Sequence, residues 1–185
     1  RIDAANQSTV RDGLYGLGGV SFQGGEGSET VYTLRDATHN RLELDYLAAT
    51  GGGTLGVEID GQQWGEVSTA GAGVSAAHAE FVIHPPARSV RIRVLSGQVR
   101  VFGVEFTKPG PGVIYDSLGL NGGYISVLAR LFNPAHWRQE LRHADPALVV
   151  INYGTNETAY PLFVDAIMPQ QLRVAIERVR AAAPR

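Results

Sequence analysis

Two short polar turns contain residue types suited to stabilising negative charge. One is GLNGG at residues 119–123, and the other is GTNE at residues 154–157. A glycine in a turn exposes its backbone N–H, and an asparagine side chain supplies amide N–H groups. Two such donors directed at one point are what an acyl-transfer enzyme needs to stabilise an oxyanion. Gly122 and Asn156 are therefore the candidate catalytic residues, as the two donors.

A strand is predicted immediately before each of these turns. Residues 148–153 read LVVINY, and such a run without apolar–polar alternation is typical of a strand buried on both faces. Residues 112–119, GVIYDSLG, are predicted as a second strand. Open α/β sheets bind ligands at the carboxyl ends of their strands, and parallel strands end at the same edge. We therefore expect the two turns to meet at one edge of a parallel sheet.

Asn156 also has a structural interpretation. An asparagine side chain accepts hydrogen bonds from free N–H groups at the start of a helix, so Asn156 could cap the helix that follows. Glu157 could orient the loop or cap the same helix, and we assign it no catalytic role.

Helices are predicted around the second strand. Residues 123–131 and 134–142 have helical patterns, and residues 162–183 form an amphipathic pattern. The order strand, helix, strand, helix implies parallel pairing with right-handed crossovers. Two strands alone leave sheet edges and a helix face uncovered. We therefore expect missing segments of the same protein, or a partner chain, to complete this α/β layer.

The chain before residue 109 has a different pattern. Residues 30–108 contain about seven short runs of alternating apolar and polar residues separated by turn residues, which predicts an antiparallel β-sandwich or jelly roll. Asp60-Gly61 is a strong hairpin signal, and alternation predicts inward-facing side chains at Leu42, Leu44, Tyr46, Val90, Ile92 and Val94. Residues 1–29 are interpreted as a connecting segment. Residues 108–112, KPGPG, are interpreted as the linker into a partial α/β domain at residues 109–185.

Composition excludes several classes of function. The net charge of −2 gives no electrostatic reason to expect nucleic acid, and no apolar run of about 18 residues predicts a membrane span. The absence of cysteine excludes disulfides, thiolate metal ligands and a cysteine nucleophile. The five histidines include no close metal-ligand pair; His136 and His143 could share a helix face, and solvated or capping roles are the commoner alternative. We predict no metal site and no cofactor.

In the region from Gly112 onward the sequence resembles the SGNH/GDSL hydrolases. The second block of that family resembles residues 120–123, which gives Gly122 as an oxyanion donor. The third block resembles GTNE, which gives Asn156. The resemblance implies a three-layer α/β hydrolase domain with a parallel sheet, a serine nucleophile in a Gly-Asp-Ser block and an Asp-x-x-His pair. Neither of those two blocks occurs at its expected place, before residue 30 or after residue 157.

A β-sandwich ahead of the YDSLGLNGG stretch resembles the peptidoglycan O-acetylesterase branch of that family. In that branch a jelly roll similar to a carbohydrate-binding module is inserted between the first and second blocks. The resemblance implies hydrolysis of O-acetyl esters on a cell-wall glycan by a periplasmic or secreted protein. Trp64, Trp137 and Tyr160 could stack on sugar rings, with packing as the alternative for each.

Two other stretches resemble motifs of a hydrolase site in sequence or spacing. Ser117 lies in Asp-Ser-Leu but would stand too close to Asn156 in sequence for the intervening elements, so a turn role is favoured. Asp36 and His39 have the spacing of a base pair but lie between two predicted sandwich strands, so they are interpreted as a turn.

Two functions follow. The first is part of a serine carbohydrate esterase, to which this chain contributes oxyanion donors and the inserted β-domain, with acetylated glycan as substrate. The alternative is a non-catalytic glycan-binding or scaffolding protein with an inactive α/β domain.

Overall fold

The chain divides into two compact units. The computed structural model describes residues 12–84 and 86–183. The sandwich unit is Ser21–Tyr115, and the helical unit combines residues 12–20 with residues 116–183. The sandwich unit is therefore inserted into the chain of the helical unit.

Within the described residues, the sandwich unit consists of eight strands in two four-stranded sheets. Strand order is β1-β8-β3-β6 in one sheet and β2-β7-β4-β5 in the other, and every strand pair is antiparallel. The strands are β1 (Phe22–Gly25), β2 (Glu29–Thr33), β3 (Arg41–Ala48), β4 (Thr54–Ile59), β5 (Gln62–Ser68), β6 (Ser75–Val82), β7 (Ser89–Ser96) and β8 (Gln98–Thr107). The predicted antiparallel β-sandwich is confirmed.

The sandwich core is built by the alternation that the sequence shows. Successive side chains of a strand point to opposite faces, so every second residue of β3 and β7 enters the core. Leu42, Leu44, Val90, Ile92 and Val94 are all buried as predicted. Tyr46 is partly buried and packs against this core, just past a register shift between Asp45 and Tyr46.

The hairpin between β4 and β5 turns at Asp60-Gly61, as predicted. Both residues have positive φ, +48° at Asp60 and +79° at Gly61, as the two-residue turns of hairpins require. The Asp60 carboxylate accepts hydrogen bonds from the backbone N–H groups of Arg88 and Ser89, at 3.0 and 2.8 Å, where β7 begins. The turn therefore also fixes the start of a neighbouring strand.

The interpretation of residues 1–29 as a connecting segment is wrong for the described part of that range. Strand β1 has the sequence FQGG, whose glycines have low strand propensity, yet it pairs with β8 at the sheet edge. Residues 12–20 belong to the helical unit. Residues 1–11 lie outside the described residues.

The helical unit contains a short π-helix (Val127–Leu131), α1 (Pro134–Ala144), a 3₁₀ turn (Glu157–Ala159), α2 (Pro161–Ala166) and α3 (Met168–Ala182). Helix α1 follows the predicted pattern, because the Asn133 side chain accepts from the N–H groups of Ala135 and His136 and Pro134 occupies the first helical position. The single helix predicted at residues 162–183 is divided at Ile167. Pro169 explains the division, since proline is accepted in a first turn and disrupts a helix interior.

The core of the helical unit includes side chains from both pieces of its chain. Phe132, Trp137 and Leu141 are buried, and Tyr15 and Leu17 pack against this cluster. The N–H of Asn133 donates to the Gly13 carbonyl at 2.9 Å. Gly13 has φ +78°, and a Cβ there would lie 2.5 Å from the Asn133 nitrogen, so this contact requires glycine. Residues 12–20 are thus an integral part of the helical unit.

The two strands predicted at residues 112–119 and 148–153 do not form, and the described residues contain no parallel α/β sheet. Both stretches lack ladder partners, and several of their apolar side chains are exposed, 93% for Val113 and 76% for Val150, while Val149 and Ile151 are partly buried. A strand exists only where a neighbour satisfies its backbone N–H and C=O groups. The three-layer α/β architecture is therefore not observed.

No helix in residues 12–84 and 86–183 has both the length and the apolarity to span a membrane.

Candidate oxyanion site

The first loop, residues 120–123, is a tight turn closed by a hydrogen bond from the Gly123 N–H to the Leu120 carbonyl, 2.9 Å long. Gly122 is the third residue of this turn and has φ +72°, a conformation that side-chain-bearing residues rarely adopt. Gly122 is exposed, and its N–H has no hydrogen-bond acceptor in the part of the chain that the structure describes. The turn thus presents one unused backbone donor.

The second loop, residues 154–157, leads into the 3₁₀ turn. The N–H groups of Glu157 and Thr158 both donate to the Gly154 carbonyl at 3.1 Å, and Gly154 has φ +134°. Asn156 has helical backbone angles, yet its side chain makes no capping hydrogen bond. The capping interpretation of Asn156 does not describe its geometry.

The side chain of Asn156 joins the two loops. Its Nδ2 donates to the Gly123 carbonyl at 2.8 Å, so Asn156 and the residue after Gly122 are in direct contact. Because a carbonyl oxygen can accept only, this bond fixes which end of the Asn156 amide faces the first loop. The structure brings together the two predicted turns, without the parallel sheet that was expected to align them.

Among the described residues, one N–H of the Asn156 amide has no acceptor. The amide nitrogen has two hydrogens, and the bond to Gly123 uses one of them. Within the described residues the other hydrogen is unused, as is the N–H of Gly122. The site therefore has two donors available beside a hydrogen bond that fixes their loops, which is chemically suited to binding a carbonyl or carboxylate oxygen.

The Glu157 side chain forms hydrogen bonds to both loops. Its side chain is fully buried, at 0% exposure. One carboxylate oxygen accepts from the Ile125 N–H at 2.6 Å, and the other accepts from the Gly154 N–H at 3.1 Å. A buried carboxylate must be compensated by hydrogen bonds or charge, and here two backbone donors from separate loops provide it. Glu157 thus sets the spacing between the loop that contains Gly122 and the loop that contains Asn156.

Tyrosines surround the same site. Desolvation raises the pKa of Tyr153, and the negative charge of Glu157 adds to this effect. Desolvation also raises the pKa of Tyr124, with further increases from the hydroxyl of Tyr160 and the charge of Glu157. Tyr124 and Tyr153 therefore remain protonated hydroxyl groups at neutral pH.

Neither of the two stretches that resemble hydrolase motifs, at Ser117 and at Asp36 and His39, forms a catalytic site. Ser117 is exposed and makes no hydrogen bond within the described part of the chain. His39 Nδ1 contacts the backbone carbonyl of Asp36 at 2.7 Å, while the Asp36 carboxylate binds Thr38 and pairs with Lys108. The Asp36–His39 stretch is a turn between β2 and β3, stabilised by its own polar groups.

Three potential metal ligands share the outer face of β3 and β6. Glu43, Asp45 and His78 place ligand atoms within 4.8 Å of one another. However, Asp45 binds His78 Nδ1 at 2.8 Å and Glu43 pairs with Arg41 at 3.2 Å. Each of these three side chains therefore has a polar partner within the sandwich unit. Elsewhere, His136 is buried and donates through Nε2 to the Tyr15 carbonyl at 3.0 Å, which assigns it a structural role.

A solved structure of a peptidoglycan O-acetylesterase is similar to this chain, with a TM-score of 0.72 and 20% sequence identity. The match covers 96% of this chain and 48% of that one. The two share a fold. This chain spans about half the length of that esterase, and identity at this level extends the likeness to the fold alone.

Carbohydrate-binding modules match more weakly. A module from Clostridium stercorarium in complex with cellobiose has 17% identity and a TM-score of 0.37, over 48% of this chain and 74% of the module. A module of a multidomain xylanase from the hindgut metagenome of Trinervitermes trinervoides has 18% identity and a TM-score of 0.39, over 48% and 76%. Neither score is high enough to support an argument. No protein-family model matches the sequence, and no curated protein sequence matches it.

Sequence reasoning missed the bridging role of Glu157. Glu157 was predicted to orient the loop or to cap a helix. Its hydrogen-bond partners are instead Ile125 and Gly154, and Ile125 is distant in sequence. The available signal was an acidic residue at the end of the turn that follows the apolar run, since a carboxylate that is buried there must find backbone donors.

Proposed function

We propose that this chain is part of a serine carbohydrate esterase that removes O-acetyl groups from a cell-wall glycan, with peptidoglycan as the substrate class. The Gly122 N–H and the Asn156 amide act as its oxyanion hole. The observation that supports this is the 2.8 Å bond between Asn156 Nδ2 and the Gly123 carbonyl, which brings the loop that contains Asn156 into contact with the loop that contains Gly122. The shared fold with a peptidoglycan O-acetylesterase agrees with it.

In the proposed reaction, this chain supplies the oxyanion donors, and residues outside it supply the serine and the histidine. A serine activated by histidine attacks the acetyl carbonyl, and the carbonyl oxygen becomes negatively charged. The free N–H of Asn156 and the N–H of Gly122 donate to that oxygen. The alcohol of the sugar then leaves, and water releases acetate from the acyl-enzyme. Since the donors are fixed before substrate arrives, they need no reorganisation in the transition state.

The proposal includes segments that complete the α/β layer. The apolar side chains at residues 113–115 and at Leu148 and Val150 are exposed, as expected of strands whose sheet neighbours are elsewhere. The solved esterase is about twice as long as this chain. We place the serine and the Asp-x-x-His pair in segments of the same protein beyond this chain, and the protein in the periplasm or outside the cell, where its glycan substrate lies.

A second candidate is a non-catalytic glycan-binding or scaffolding protein. The observation that favours it is Ser117, which is exposed and makes no hydrogen bond to a base among residues 12–84 and 86–183. In that case the sandwich unit binds glycan and the helical unit is inert.

Substituting Asn156 by Ala in the complete protein tests the first candidate. Loss of one oxyanion donor lowers turnover by roughly a hundred- to a thousand-fold, so we expect kcat for release of acetate from acetylated peptidoglycan to fall on that scale. Asn152→Ala is the matched control, because Asn152 is exposed on the same stretch and contributes no donor. Near-normal turnover in N156A would reject the oxyanion role. Glycan binding by a complete protein without any acetate release would favour the second candidate.

A further inference from the structure

We infer that Tyr124 and Tyr160 form an aromatic platform on which a sugar ring of the substrate glycan stacks, beside the candidate oxyanion site. The inference rests on the proposed function, which supplies the reacting ester, and it adds the subsite that holds the sugar. The ligand class is a pyranose ring within a polymer of N-acetylated sugars.

The platform lies next to both donors. Tyr124 directly follows Gly123, whose carbonyl binds Asn156. Tyr160 directly follows the 3₁₀ turn that begins after Asn156, and its N–H donates to the Glu157 carbonyl at 2.8 Å. The two tyrosine rings are 6.3 Å apart between centroids and tilted by 48°. One tyrosine therefore extends from each loop, and the two meet beside the site.

The platform is held in place yet open to solvent. The Tyr160 backbone is anchored on both sides, because its carbonyl also accepts from the N–H groups of Phe163 and Val164 at 2.9 and 3.1 Å. Phe163 packs edge-on against the Tyr124 ring, with centroids 6.3 Å apart. Tyr160 nevertheless remains 57% exposed. An aromatic side chain with a fixed backbone and an accessible ring binds a ligand at low cost in conformational entropy.

The chemistry of the platform matches that of a sugar. A pyranose ring has an apolar C–H face and a rim of hydroxyl groups, and a tyrosine has an apolar ring and one hydroxyl. In an O-acetylated glycan only a few covalent bonds separate the ester carbonyl from the sugar ring. When that carbonyl oxygen is bound between Gly122 and Asn156, the ring therefore lies within a few bond lengths of the two loops from which Tyr124 and Tyr160 extend.

The experiment compares two substrates with the complete protein: acetylated peptidoglycan and 4-nitrophenyl acetate, an acetyl ester without a sugar. We expect Tyr160→Ala to lower the ratio of kcat/KM for glycan over the small ester by about two- to twelve-fold, the range for losing one aromatic contact, mainly through KM for the glycan. Tyr160→Phe keeps the aromatic ring, so its ratio is expected to lie above that of Y160A. Leu162→Ala removes a neighbouring side chain that is 86% exposed and leaves the ratio unchanged.

An unchanged ratio in Y160A, or the same change in L162A, would overturn the platform. If the unsubstituted protein releases acetate from neither substrate, the proposed function fails and the platform is judged by binding. In that case an N-acetylglucosamine tetrasaccharide is titrated while the backbone amide resonances of residues 124 and 160 are followed by NMR. Saturable shifts that Y160A abolishes would support the platform, and their absence would overturn it.

Discussion

Glu157 shows how a single side chain fixes the geometry of two loops. Both of its carboxylate oxygens are used, one by the Ile125 N–H and one by the Gly154 N–H. Ile125 is fully buried, so its N–H has no access to water as a substitute partner. An unsatisfied buried donor costs about 1–3 kcal/mol, so loss of this carboxylate affects both loops together.

Glu157→Gln tests this role. The glutamine has nearly the same shape, but its amide nitrogen must face one of the two backbone N–H groups. That backbone N–H then loses its hydrogen bond, and it lies against another donor. We expect the free energy of unfolding of the helical unit, measured by urea denaturation, to fall by about 1–3 kcal/mol.

Glu177→Gln is the matched control, since Glu177 is exposed on α3 and its substitution is expected to change the unfolding free energy by less than about 0.5 kcal/mol. Equal effects of E157Q and E177Q would contradict the bridging role of Glu157.

At the scale of elements, the hairpin formed by β4 and β5 is connected to β7 through one carboxylate. Backbone hydrogen bonds from Ser89 and then Arg88 lower the pKa of Asp60 below its ordinary value. The folded state therefore favours the ionised carboxylate. The resulting stabilisation is fully present above the pKa of the unfolded chain, about 3.9, and is lost as the pH falls through the lower pKa of the folded state.

Asp60→Asn tests this pH dependence. Asparagine tolerates the positive φ at this position and keeps an acceptor oxygen, but it does not ionise. We expect the wild type to have the higher Tm at pH 7, and the difference in Tm between wild type and D60N to shrink as the pH falls below about 4. Circular dichroism melting curves at pH 7, 5 and 3 measure it. A Tm difference independent of pH would show that the Asp60 charge does not stabilise the fold.

For the whole molecule, the main feature is the insertion of one unit into the chain of another. Strands β1 and β8, the first and last of the sandwich unit, are neighbours in one sheet. The buried cluster of the sandwich is drawn entirely from β3 to β8 and their connections. Adjacent first and last strands and a self-contained core are properties of inserted domains that fold independently.

We therefore expect residues 21–115 expressed alone to fold. The far-UV circular dichroism spectrum should be that of a β protein, and thermal unfolding should be a single cooperative transition. Residues 116–183 alone should not unfold cooperatively, because Tyr15 and Leu17 are missing from their core. A molten sandwich fragment, or a cooperative helical fragment, would contradict this division of the chain.

Features that depend on neighbours in sequence were predictable. The two-residue period of β3 and β7, the Asp60-Gly61 turn and helix α1 follow from local sterics and burial patterns, and the structure agrees with each. Strand β1 was missed because its glycines have little intrinsic strand preference, and the strand forms by pairing with β8. The two strands expected at residues 112–119 and 148–153 do not form, because in the described residues these apolar runs lack the partners that a ladder requires.

The sequence by itself determined the sandwich and proposed Gly122 and Asn156 as a pair. Only the tertiary structure decided that Asn156 reaches the Gly123 carbonyl, that Glu157 links Ile125 to Gly154, and that residues 12–20 belong to the helical unit. The physical reason is the separation in sequence between the residues that interact. Turns and alternation depend on interactions between nearby residues, whereas the contacts of Asn156 with Gly123 and of Glu157 with Ile125 join residues distant in sequence and exist only after the chain has folded.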